Sequence, residues 1–95
     1  MRVTIVPSDG YVSVDGFGLS KIDLTFLPTG IHAVQWYGTR GVVEVKDIET
    51  GNMVENRQIT ELGEFQQAVD AWTIAKQEYD AEVARQMAAV ITKPD

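Results

Sequence analysis

The feature that most constrains this chain is a change of hydrophobic period at Thr60. Before it, apolar residues alternate with polar ones over short runs; after it, they recur at helical spacing to the end of the chain. Placed at 100° per residue, Phe65, Val69, Trp72, Tyr79, Val83, Met87 and Val90 fall within about 40° of one line. The pattern predicts one long amphipathic helix over roughly 63 to 91, with Thr60 as N-cap, Glu61 and Glu64 at the positive end of its dipole, and Gly63 as an irregular first turn. Such a helix is about 40 Å long, whereas a strand of five or six residues spans about 17 to 20 Å. The helix therefore outruns the sheet it would pack on, or else crosses a wider sheet diagonally.

The first 59 residues read as strands in hairpins. "RVTIVP" and "YVSVDG" place Val3, Ile5, Val12 and Val14 on one face, separated by Ser8-Asp9-Gly10. Asp15-Gly16 is a second turn signal. "KIDLTFL" alternates Ile22, Leu24 and Phe26 and predicts a third strand before Pro28-Thr29-Gly30. "IHAVQWYGTRGVVEV" predicts a hairpin with His32, Val34 and Trp36 in one phase and Val43 and Val45 in the returning strand. "DIETGNMVENRQI" is either a short sixth strand or a loop. The expected fold class is thus α+β: a small antiparallel sheet of about five to six strands, then one long C-terminal amphipathic helix. The 95 residues suit a single domain, with a β region over 1–59 and a helix over 60–92 whose distal half protrudes.

Fourteen acidic and eight basic residues leave a formal charge of −6, most of the excess lying beyond residue 60. That charge disfavours nucleic acid and anionic membranes as partners. There is no cysteine, and neither a signal segment nor a membrane span is expected from the pattern.

Catalytic chemistry finds little support. His32 has no second histidine or cysteine at ligand spacing, so it reads as packing or surface rather than metal ligand. "GFGLSK" is followed by a strand pattern, whereas a phosphate loop requires a helix there. Glu44 with Asp47 or Glu49 has no asymmetry of environment to separate an acid from a base. The expectation is a protein that is not an enzyme, with no cofactor, no metal and no small-molecule substrate.

Binding is the remaining class. Lys76 interrupts the apolar stripe between Trp72 and Tyr79; either it snorkels to water, or it marks where the helix leaves its sheet. In the second case Tyr79, Val83, Met87 and Val90 form a separate apolar face awaiting a partner or a second copy of the helix. Trp36 is expected under the helix, against Phe65 or Trp72, while Tyr37 and Arg40 are candidates for a recognition patch.

The segment "LPTGIHAVQWYGTRGVVEV", then Asn56 and "ITELGEFQQAVDAWTIAKQEYDAE", resembles small proteins encoded in the tail-fibre region of tailed bacteriophages and prophages. The likeness covers about residues 27 to 80 and leaves out the first hairpin. It implies a tail-fibre assembly chaperone or a small tail accessory subunit. Its partner would be a fibre or other tail protein, in the host cytoplasm during assembly or in the virion tail, and the family brings no catalytic residues. A rival reading is a phage-encoded acidic inhibitor of a host protein that mimics nucleic acid through Glu61, Glu64, Asp70, Glu78, Asp80 and Glu82.

Overall fold

The computed structural model describes residues 1 to 92, and side chains through residue 89. Six strands form one antiparallel sheet: β1 (Val3–Val6), β2 (Tyr11–Val14), β3 (Phe17–Leu19), β4 (Ile31–Trp36), β5 (Gly41–Lys46) and β6 (Met53–Ile59), followed by α1 (Gln66–Thr92). The sheet order is β3-β2-β1-β4-β5-β6, so the first strand sits inside and two meanders grow outward from the β1–β4 pair. The uncertain segment after Gly51 is a strand, the sixth.

The turns follow their local chemistry. Pro7–Asp9 makes a 3-10 turn and Gly10 closes it at φ 57. Asp15 and Gly16 form the two-residue loop between paired Val14 and Phe17, both at positive φ, as a type I′ turn requires.

Register places the alternating apolar residues on one face. Val3 lies between Val14 and Trp36, Ile5 between Val12 and Val34, and Val43 beside Val34. With Phe65, Ala68 and Val69 they form one buried cluster. The opposite face carries the uncharged row Gly18, Ser13, Thr4, Gln35, Val42 and Gln58, in which the Thr4 hydroxyl donates to Gln35 Oε1 at 2.9 Å.

Two alternation readings are corrected. Residues 20 to 30 are not a strand. Lys21 adopts φ 63, the Ile22 N–H donates to Gly10 O at 2.9 Å, and Leu27 N–H donates back to Leu24 O at 3.1 Å. Ile22, Leu24 and Leu27 still enter the core, while Phe26 stays exposed. At Ile22 and Leu24 the alternation reports burial without a ladder, and past Leu24 the turn breaks the phase, so Leu27 is buried in place of Phe26. An Asx turn stiffens the loop, because the Thr25 hydroxyl and then its backbone N–H bond Asp23, holding that carboxyl below its ordinary value of 3.8.

The second correction concerns His32. Ile31 pairs with Val45 and Ala33 with Glu44, so His32 is the extra residue of a bulge. It is exposed, whereas Val34 and Trp36 are buried.

The helix also starts differently. Thr60 is not an N-cap: Gly63–Phe65 forms a 3-10 turn with Leu62 in the capping position, and no side chain caps it. Gly63 at φ 53 supplies the irregular first turn expected of it. The 27 residues of α1 span about 40 Å, against principal extents of 60 × 30 × 18 Å for the molecule.

Candidate partner-binding site

The chain reaches α1 through Phe65, which is 2% exposed, and Ala68 and Val69 are buried in the next turn. Packing then moves to the β2–β3 side of the sheet. The I′ turn at Asp15-Gly16 holds Phe17 there. Its carbonyl accepts the Trp72 indole N–H at 3.0 Å, and its ring meets Trp72 edge-on at 6.4 Å and Tyr79 at 5.4 Å. Lys76 Nζ lies 4.6 Å from the ring centroid and forms an ion pair with Asp80 at 2.7 Å. Lys76 therefore snorkels, its charge held between an aromatic face and a carboxylate.

It also marks the departure point. Every described residue from 77 to 89 is exposed, although Tyr79 still touches Phe17. That leaves roughly 20 Å of helix projecting past the β3 side of the sheet. Tyr79, Val83 and Met87 are 47%, 41% and 59% exposed along this stretch. The Val90 side chain lies outside the described residues.

Phe17 is the site residue that sequence reasoning missed. Its position in "GFGLSK", next to a turn, carried no periodic signal. Trp72→Phe is expected to lower stability by about 1 kcal/mol through the lost hydrogen bond to Phe17, read as a lower denaturant midpoint with unchanged slope. Ile74 is also largely exposed, on the helix side opposite the stripe.

Tyr37 and Arg40 come together elsewhere. The Tyr37 N–H donates to Arg40 O at 2.8 Å, closing a loop in which Gly38 takes φ 103. The Arg2 guanidinium sits 5.4 Å from the Tyr37 ring centroid. Tyr37, Arg40, Gly41, Val42 and Gln58 line an open concavity of about 520 Å³. This patch joins β4 to β5, away from the β3 side where the helix departs. The five candidate residues whose side chains are described thus fall on two separate surfaces, Tyr79, Val83 and Met87 on the helix and Tyr37 and Arg40 on the hairpin. Trp36, 6% exposed, belongs to the buried cluster with Phe65.

The acidic side chains of the helix do not make one continuous face. Asp70 accepts from Gln66 at 3.0 Å, Asp80 pairs with Lys76, and Glu82 pairs with Arg85 and accepts from Gln86. Among the described residues, no group of three or more His, Asp or Glu side chains converges as a metal site would require.

No protein-family model, curated protein or solved structure matches this chain.

Proposed function

We propose that the chain is a non-enzymatic bacteriophage tail protein, a fibre-assembly chaperone or small tail accessory subunit. It binds a fibre or other tail protein through the distal face of α1. The phage setting rests on the likeness of residues 27 to 80. The observation that carries the binding mode is the projecting helix, anchored at Phe17 and exposed at Tyr79, Val83 and Met87.

A helix held at one end by a sheet is pre-organised, so docking it costs little conformational entropy. Full burial of a Val or Met side chain contributes about 1.5 to 3 kcal/mol, and an amphipathic helix seated in an apolar groove uses such anchors at this spacing. The negative net charge keeps the free protein soluble while that face waits for its partner.

Val83→Asp tests this. Co-expression with a tail-fibre protein of the same genome should yield a complex with the wild type and at least tenfold weaker capture with the variant, roughly the loss of one buried anchor. Circular dichroism should show the same fold, because Val83 lies outside the core. Equal capture by the variant would remove the helix face from the mechanism. A salt-sensitive complex with a basic host protein that survives Val83→Asp would instead favour the nucleic-acid-mimicking inhibitor.

A further inference from the structure

The two edges of the sheet are finished differently. β3 has three residues, its Phe17 carbonyl is bonded by Trp72, and its Phe17 ring is flanked by Tyr79 and Lys76. β6 has seven residues and, among the described residues, a strand neighbour on one side only. Six of the seven are exposed. Proteins usually blunt such an edge with proline, lysine, inward-pointing charges, a mid-strand bulge or a covering element; β6 carries the charges, Glu55 and Arg57, but they are of opposite sign. "MVENRQI" holds neither proline nor lysine, and its one irregularity falls at the Lys46 end.

The core explains why the edge is bare. On the buried face the pairing puts Arg57 beside Val43 and Glu55 beside Val45, so apolar packing reaches β6 at its Ile59 end and is absent from the middle of the strand. The charged pair is unused within the chain: among the described residues, neither Glu55 nor Arg57 takes part in an ion pair.

We infer that β6 pairs antiparallel with β6 of a second copy of this chain, about a two-fold axis at Asn56, joining two sheets edge to edge. In that register Glu55 of each copy faces Arg57 of the other, Met53 faces Ile59, and Val54 faces Gln58. The sequence is complementary to its own reverse in this register alone. Sliding by two residues sets Glu55 opposite Glu55, or Arg57 opposite Arg57, and like charges directly opposite are destabilising. A second copy is therefore the occupant favoured by charge. The surface is separate from the distal helix face and leaves it free.

Sedimentation equilibrium of the purified chain decides the matter. The wild type should approach twice the 10.5 kDa of one chain as concentration rises, with the association weakening as salt screens the charges. Arg57→Glu should raise the dimer dissociation constant at least about tenfold, since both ion pairs become repulsive contacts. The double exchange of Glu55→Arg with Arg57→Glu should restore wild-type association, because the pairing is then complementary again. Val83→Asp should leave the dimer unchanged. A wild type that stays monomeric, an Arg57→Glu variant that dimerises like the wild type, or a double exchange that fails to restore association each overturns the inference. Far-ultraviolet circular dichroism accompanies each variant, and both substitutions lie on exposed positions.

Discussion

Phe65→Ala is expected to destabilise the fold by about 3 to 5 kcal/mol, the usual cost of truncating a buried aromatic, and to unfold much of the population near 40 °C. Phe65 is the first buried residue after β6, and it lies in the 3-10 turn that delivers the chain to α1. It shares its cluster with Trp36, Val34, Val69 and the inner residues of β1 and β2. Its removal leaves a cavity between sheet and helix that a two-layer molecule of 95 residues cannot readily close. Among the described residues, only Ala68 and Val69 of the helix would remain buried, so the helix should loosen with the core. Urea denaturation followed by tryptophan fluorescence measures the loss directly, because Trp36 lies in the same cluster. A midpoint close to wild type would show that the helix is held chiefly at Phe17 instead.

Gly41→Val should cost about 3 kcal/mol for a different reason, overpacking against backbone. Gly41 is buried and pairs with Trp36 across the β4–β5 hairpin. A Cβ at this position would lie 2.5 Å from the Gln35 carbonyl oxygen and 2.9 Å from Cε3 of the Trp36 ring. The first neighbour is backbone, so relief requires the strands to separate rather than a side chain to turn. The indole edge at Cε3 occupies part of the space left by the missing side chain. The variant should show a lower melting temperature and an altered near-ultraviolet signal from Trp36. It also deforms the concavity at Tyr37 and Arg40, since Gly41 lines it. If melting is unchanged, the tight β4–β5 approach at this pair is not a constraint on the fold.

The two proposed contacts sit at opposite ends of the sheet. The helix leaves beside β3, and β6 is the far edge. A dimer joined at β6 would therefore present two projecting helices at its outer ends, on the order of 50 Å apart at strand spacing. Such an arrangement would offer one binding face per copy and gain from avidity with a partner whose repeated sites match that spacing.

Much of this architecture was legible in the residues. The period change at Thr60 identified α1, the Asp-Gly pairs identified the first two turns, and alternation placed Val3, Ile5, Val12, Val14, Val34 and Trp36 on one face. These are local properties: a turn dihedral or a buried stripe is specified by residues within a few positions of one another. Alternation, however, reports burial only while the local phase holds, as it does at Ile22 and Leu24 but not at Phe26 or His32, and says nothing about whether the backbone finds a neighbour. That is why Ile22 and Leu24 looked like a strand and are anchors of a loop. A single inserted residue in the ladder likewise moved His32 out of phase, because register is set by the partner strand. The β1–β4 pairing, the bare β6 edge and the departure of α1 past Phe17 depend on contacts between residues far apart in the chain. Residue order alone determined the elements and their buried faces; which backbone edges met, and which stayed open, was decided only when those faces packed together.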